Sequence, residues 1–324
     1  MKAALYRGFG AAADVLSVVD IDVPDPAPGQ VRVKITRSGI NPTDWKARAG
    51  SGRGLGNFPF QIPHHDGAGV IDALGQGVDD LHVGQRVWLF GAAAENPYGT
   101  AAEYCVVPAY CAIPLPDNAS DDLGACLGVP AGTATQCLGA DQSALAGTTV
   151  LAAGGAGAVG HYAIELARYA GARVVTTVSS EEKAKLARDA GADLIVNYRD
   201  DDAIDQVRGF AERIDRIVEV SLGANLELDL AVAGPGTVIA VYAREQQDPL
   251  LPFQRLMTAN ATIRYVLLYT VAPAELLSGF AWINDALAAS ALTALPITAY
   301  PLDEIVAAHE AAERGVVGKI VLIP

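Results

Sequence analysis

The stretch Thr149-Val-Leu-Ala-Ala-Gly-Gly-Ala-Gly-Ala-Val-Gly-His161 puts a short apolar run before a glycine-rich turn and an alanine-rich segment of helical spacing. It reads as strand, phosphate loop, helix. Within it Gly155-x-Gly157-x-x-Gly160 has the spacing of a dinucleotide fingerprint: one glycine for the tight turn, one for backbone approach to a pyrophosphate, one for packing helix on strand. The anion would rest on the helix N-terminus, where unpaired N–H groups and the helix dipole favour negative charge. An alanine- and glycine-rich chain produces such a pattern by chance, so the neighbours decide. Ala163, Ile164, Leu166, Ala167 and Ala170 continue an apolar helical face, Gly171 stops it, and Arg173-Val-Val-Thr-Thr-Val178 is a β-branched strand, as a parallel crossover requires.

The end of that second strand speaks to cofactor choice. An NAD-preferring site places an acid about 20 positions past the glycines, to accept from the ribose hydroxyls. Ser179 and Ser180 stand there instead. A carboxylate would repel a 2′-phosphate, whereas the serine hydroxyls, Lys183 one turn on, and Tyr198-Arg199 after the next strand could donate to it, which favours NADPH over NADH. The same residues carry a second reading, with Ser179-x-x-Glu182 as a capping box and Lys183 as a solvated helix residue.

The elements that must hold these residues follow a clear division. From Lys2 to about Val107, short strands are cut by glycine and proline, as in a small β-barrel: Lys2-Tyr6, Leu16-Asp20, Val31-Ile35, Gly69-Leu74, Arg86-Phe90 and Ala102-Val107. Ser51-Gly-Arg-Gly-Leu-Gly-Asn57 is a loop that either borders a substrate cleft or is plain surface. From Thr148 to about Tyr269, strand alternates with helix, as a doubly wound parallel sheet requires, with later strands at Leu194-Val196, Arg216-Val220, Thr237-Tyr242 and Thr262-Tyr269. Helices from Pro273 to Ala289 and Leu302 to Glu313 and a closing strand Lys319-Ile323 are expected to return to the first domain. The reading is an α/β chain with domains 1–127 plus 271–324 and 128–270.

Composition narrows the function. A hydrophobic content of 51% over 324 residues supports a large core. No apolar run reaches the roughly 18 residues of a membrane helix, and Met1-Lys-Ala-Ala-Leu-Tyr-Arg-Gly8 lacks a signal-peptide core, so a cytoplasmic protein without membrane attachment is expected. Cys105, Cys111, Cys126 and Cys137 have neither zinc-site nor disulfide-scaffold spacing and read as buried thiols. A net charge of −14 and a pI near 4.7 argue against nucleic acid as a partner. Gly-x-Ser-x-Gly is missing, and no serine or cysteine is tied by sequence to a histidine and an acid, so the chemistry must come from a cofactor.

Taken together the chain resembles the medium-chain dehydrogenase/reductase superfamily, and within it the zinc-independent, zeta-crystallin-like quinone oxidoreductases. The markers are Ser38-Gly-Ile-Asn-Pro-Thr-Asp44, Gly67-Ala-Gly-Val70, Val83-Gly-Gln-Arg-Val87, Pro130-Ala-Gly-Thr-Ala134, Gly155 to Gly160, Val178-Ser-Ser-Glu-Glu-Lys183, Val196-Asn-Tyr-Arg199 and Gly318-Lys-Ile-Val321. The resemblance implies a GroES-like barrel, a Rossmann-type cofactor domain, an active cleft between them, and a homodimer joined through the strand Thr262 to Tyr269. It also implies that Asn41 lines the nicotinamide end, that Thr133 contacts the nicotinamide, and that Gly157, Ala158 and Val159 hold the pyrophosphate. Asn225, Tyr242 and Tyr269 fall where the family has further cofactor contacts. Where the family often has tyrosine near the substrate this chain has Lys46, either a proton donor to a quinone or enolate oxygen or a helix-surface residue.

The zinc-dependent branch has a cysteine where this chain has Ile40-Asn41-Pro42, a His-Glu pair at His65-Asp66, and a four-cysteine lobe that is missing here. One ligand, His65, survives, and a catalytic zinc needs three, so no metal is expected. The implied activity is NADPH-dependent reduction of quinones or conjugated carbonyls. Two alternatives are an enoyl or 2-alkenal reductase, and an NADPH-binding crystallin-like protein without turnover.

Overall fold

Glycine and proline divide the first third of the chain into the strands β1 (Lys2–Leu5), β2 (Ser17–Asp20), β3 (Gln30–Gly39), β4 (Asp66–Leu74), β5 (Arg86–Leu89), β6 (Tyr104–Pro108) and β7 (Ala112–Pro114). Among them lie the short helices α1 (Ala12–Val15) and α2 (Pro42–Arg48), with α3 (Asp121–Gly124) after β7. The computed structural model describes residues 1–52, 54–139, 141–245 and 247–324, so Arg53 of the Ser51–Asn57 loop lies outside the described residues. Two units result: Met1–Val129 with Ala294–Pro324, and Pro130–Thr293. The first chain crossing falls inside helix α4 (Gly128–Leu138).

In the first unit β3 is long enough, at ten residues, to serve two neighbours on one side. Its first half pairs antiparallel with β6 and its last two residues with β15 (Lys319–Ile323), while β4 runs along its other side. Val31, Val33 and Ile35 alternate inward against Ile71, Val87, Leu89 and Cys105. The returning segment adds β14 (Ile297–Pro301) and the helix Ile305–Arg314, whose Ile305, Ala308 and Ala311 cover Ala3, Ala4 and Leu5. All four cysteines are buried and free.

The second unit alternates β8 (Thr149–Ala152), α5 (Ala158–Tyr169), β9 (Arg173–Val178), α6 (Glu181–Asp189), β10 (Leu194–Asn197), α7 (Ala203–Phe210), β11 (Ile214–Glu219), α8 (Leu222–Val232), β12 (Ala233–Val241), α9 (Phe253–Ala259), β13 (Thr262–Tyr265) and α10 (Pro273–Ala288). The sheet order is β10-β9-β8-β11-β12-β13 with every neighbour parallel. Register aligns Leu194, Val175, Leu151, Ile217, Ile239 and Ile263 in one row across the sheet. That row packs against Ala203, Val207, Leu222 and Leu226 of α7 and α8. Each such aliphatic side chain contributes about 1.5–3 kcal/mol on burial.

Two expectations need correction. The second crossing falls at 293/294, not 270/271. Helix α10 stays with the sheet unit because Gly279 approaches α4 so closely that a Cβ there would stand 2.6 Å from Thr135 Oγ1, and Phe280 packs beside Gly132. The strand read as Thr262 to Tyr269 ends at Tyr265, and Leu268–Thr270 forms a short 3-10 turn. No described helix is long and apolar enough to cross a membrane.

Candidate active site

The glycine segment forms a cradle at the carboxyl end of β8. Gly154, with φ +70, makes the tight turn that the spacing had assigned to Gly155. Gly155 packs on the next strand instead: a Cβ there would sit 2.1 Å from Thr176 Oγ1, which is pinned by donating to Ala152 O at 2.6 Å. Gly160 lets α5 close on the turn, its Cβ position being 2.4 Å from Gly154 O. Gly157 is the exposed N-cap, and it carries no side-chain cap, so the N–H groups of Ala158, Val159 and Gly160 open the helix without intrahelical partners. The first turn of α5 holds no acid.

Beyond β9, Lys183 Nζ donates to Ser179 Oγ at 3.1 Å and Arg199 donates to Ser179 O at 3.4 Å. The Arg199 guanidinium lies 5.6 Å from the Tyr198 ring centroid. The parallel register of Asn197 with Val178 is what sets Tyr198 and Arg199 beside the serines. Ser180, not Ser179, caps α6, accepting from the Lys183 N–H at 3.4 Å. The predicted Ser179/Glu182 capping box therefore does not form, and the Ser179 hydroxyl meets the lysine instead. Two cations converge on one exposed polar edge.

Of three further predicted contacts, two meet at Glu219 and the third does not. Asn225, in the first turn of α8, donates to Glu219 Oε1 at 2.8 Å, and the Tyr242 N–H donates to Glu219 O at 3.1 Å. Burial, with Cys137 and Glu219 nearby, pushes the Tyr242 phenol up. Tyr269 lies apart, in the turn after β13. Thr133 is buried in the middle of α4.

In the first unit Asn41 is 2% exposed and its amide is engaged at both ends. Its Nδ2 donates to Asp66 Oδ2 at 2.7 Å and its Oδ1 accepts from Lys319 Nζ at 2.7 Å. Lys319 also donates to Ile40 O at 2.8 Å. Asp66 takes the Val129 N–H at 2.8 Å, an approach that Gly128 permits because a Cβ there would stand 2.3 Å from Asp66 Oδ1. Asp44 accepts from Asn41 N at 2.7 Å and His65 N at 3.2 Å. Burial outweighs these donors, pushing Asp44 up to about 8, and it lifts Asp66 to about 6 against the pull of Lys319. Burial lowers His65 to about 4. Lys46 is half-buried, its ammonium 5.4 Å from the Trp45 ring centroid.

Behind this cluster runs a directed hydrogen-bond chain. Thr100 Oγ1 donates to Asp66 O at 2.6 Å, so Ser38 Oγ, 2.7 Å away, must donate to Thr100 and accept from His64 Nδ1 at 2.7 Å. That tautomer leaves His64 Nε2 to accept from His309 Nε2 at 3.0 Å. The chain explains why His64 keeps the left-handed φ of +78. A cavity of about 10 Å³, the size of one water, opens beside Tyr6, Asp44, Gln61, His64 and His65.

Sequence reasoning missed Lys319, Glu219 and Asp229. The signal available was a charge inside otherwise apolar text: Gly-Lys-Ile-Val, Ile-Val-Glu-Val and Leu-Asp-Leu.

A parallel sheet whose strand order turns back beside a glycine cradle defines a dinucleotide-binding unit. Residues 158–284 match the family model described as "Zinc-binding dehydrogenase", and residues 27–117 that described as "Alcohol dehydrogenase GroES-like domain". The chain is 29% identical to the quinone oxidoreductase of Lama guanicoe over 327 residues, covering 100% of this chain and 97% of that protein. It is 31% identical to the quinone oxidoreductase of Mus musculus over 245 residues, 74% of this chain and 72% of that one. A mycobacterial protein solved in complex with NADPH matches with a TM-score of 0.85 and 29% identity over 100% of both chains. This chain belongs to the medium-chain dehydrogenase/reductase superfamily and is an oxidoreductase.

The first family description names zinc, and the residues present do not fit it. Both oxygens of Asp66 are taken by Val129 and Asn41, Lys319 puts an ammonium on the Asn41 carbonyl, and His65 Nε2 stands 3.9 Å from Asp44 Oδ1. Among the described residues no group of three or more His, Cys, Asp or Glu side chains could hold a metal ion. A nicotinamide dinucleotide fits better: beside the glycine turn, α5 opens on N–H groups with no side-chain cap and no acid in its first turn.

Proposed function

We propose that this protein is an NADPH-dependent, zinc-independent reductase that transfers hydride to quinones or conjugated carbonyls. The observation that carries the reading is the convergence of Lys183 and Arg199 on Ser179 at the end of β9, where no acid stands. In this reading the N–H groups of Ala158, Val159 and Gly160 hold the pyrophosphate. Ser179, Ser180, Lys183, Tyr198 and Arg199 hold the 2′-phosphate, and Asn225, Tyr242 and Tyr269 make further cofactor contacts. Thr133 touches the nicotinamide. Asn41 braces Asp66 and Lys319, because its own amide is already engaged. The cofactor supplies a hydride, which with one proton converts a quinone to a hydroquinone, and the protein supplies orientation and a dry surface. Lys46 rests over Trp45 as a helix-surface residue, which leaves that proton to solvent.

A second copy of the chain pairs along β13, one of the two edge strands of the sheet, beside the exposed Phe253, Met257, Tyr265 and Leu267. Steady-state assays with 1,4-benzoquinone and with a 2-alkenal, each with NADPH and NADH, test the activity. The expected result is a higher kcat/KM with NADPH for at least one acceptor; equal use of NADH, or no turnover of either acceptor, overturns it.

A further inference from the structure

Glu219 ends β11 and Asp229 lies on the inner side of α8, and neither is exposed to solvent. Three of their four carboxyl oxygens, Glu219 Oε2 and both of Asp229, accept from no N–H or O–H of another group among the described residues. The fourth, Glu219 Oε1, accepts from the Ser221 N–H and from Asn225 Nδ2. The Glu219 carboxyl lies close enough to Asp229 for its charge to raise that group further. Two ionised carboxylates facing one another in a dry interior, with no donor between them, would be very unfavourable, so the donor that this geometry lacks is a carboxyl proton.

The pair sits where it matters. The sheet order turns back between β8 and β11, and Val220 Cγ1 lies 3.5 Å from the Cβ position at Gly154, so the turn that leads from Val220 into the first turn of α8 starts beside the cradle. Glu245 grips the outer side of the same turn, accepting from Ser221 Oγ at 2.6 Å and Gly223 N at 2.8 Å. Tyr242, the residue after β12, also faces Glu219, and the Cys137 thiol of α4 faces Tyr242; burial raises both, so both stay neutral at pH 7.

We propose that Asp229 is a positioning residue: one proton shared with Glu219 holds that carboxyl in the orientation that fixes Ser221 and Asn225, and with them the loop beside the cofactor cradle. The effect on binding rests on the NADPH reading above; the shared proton does not. Burial and the adjacent Glu219 push Asp229 up to about 9, so the pair stays singly protonated through neutral pH and comes apart above it. Asp229→Asn replaces the proton with an amide donor that does not titrate.

The test is NADPH titration of the full chain from pH 7 to 10, for wild type, Asp229→Asn and Glu219→Gln, with infrared difference spectra of the cofactor-free proteins at pH 7. Wild-type Kd is expected to rise about tenfold above pH 9, and this alkaline loss to shrink in both amide variants. The infrared difference is expected to show one protonated-carboxyl C=O band in wild type that Asp229→Asn lacks. An alkaline loss unchanged in the variants, or a difference spectrum without that band, overturns the proposal. A wild type that binds no NADPH at any pH removes the cofactor reading alone, and the infrared band still decides the shared proton.

Discussion

Lys319 carries a positive charge to a buried place where the acceptors are a backbone carbonyl and the Asn41 amide, with Asp66 beyond. Replacing it with Met would leave those acceptors without a donor and the Asp66 carboxylate without its cation. Lys319→Met should therefore cost about 2–5 kcal/mol, read as a lower urea midpoint for the full chain. Lys183 is a different kind of cation, half-buried and set on a hydroxyl at the edge of the sheet. A hydrogen bond to a charged phosphate contributes about 1.5–3 kcal/mol, so Lys183→Ala should weaken NADPH about 10–100-fold and leave NADH nearly untouched. Calorimetry with both nucleotides checks this, and equal losses would count against the phosphate role.

Between β8 and α5 the constraint is steric. Because a Cβ at Gly155 would overlap Thr176 Oγ1, Gly155→Ala must push the turn away from β9. The expected cost is about 1–3 kcal/mol, with NADPH and NADH weakened alike, since both share the diphosphate. That equal loss separates a damaged cradle from a damaged phosphate site. At one edge of the sheet β13 has an unpaired side, and Tyr265 at its end and Leu267 just beyond are exposed at 65% and 54%. If a second copy pairs there, Tyr265→Lys with Leu267→Lys should convert a dimer to a monomer in sedimentation velocity without loss of the sheet's circular dichroism.

Across the whole molecule the buried ionisable groups set the pH dependence of stability. Asp44, Asp66 and Asp229 are raised to about 8, 6 and 9 from an ordinary 3.8. The folded chain therefore holds protons that the unfolded chain has lost, and stability falls as pH rises through those windows. His65 and His309 are lowered to about 4 and 3 from 6.5, and His64 is lowered too. These hold fewer protons when folded, so stability is lost as pH falls below 6.5. The two sets oppose each other between about pH 4 and 6.5; above that Asp44 and Asp229 act with the raised Glu219, joined toward pH 9 by the four buried thiols, which burial also raises. Scanning calorimetry should show Tm nearly level from pH 5 to 6.5 and falling from 6.5 to 9, with a slope near pH 7.5 of about two protons, about 2.7 kcal/mol per pH unit, that steepens as the thiols add to it. A Tm that rises over that upper range would contradict the assignment.

The glycine spacing, the β-branched runs and the switch from strand-rich to alternating text determined the two architectures, because local periodicity and turn chemistry act within a few residues. The serines in place of an acid were equally legible, since cofactor chemistry reads one strand end. What only the tertiary structure decided depends on groups far apart in the chain. Gly154 rather than Gly155 makes the turn because Thr176 occupies the space beside Gly155. Helix α10 stays with the sheet because Gly279 fits against α4. Lys319 reaches Asn41 across 278 positions, and Asp229 meets Glu219 only when α8 folds back on β11. Burial creates those partnerships, and no pattern of neighbours along the chain encodes which buried charge will find which.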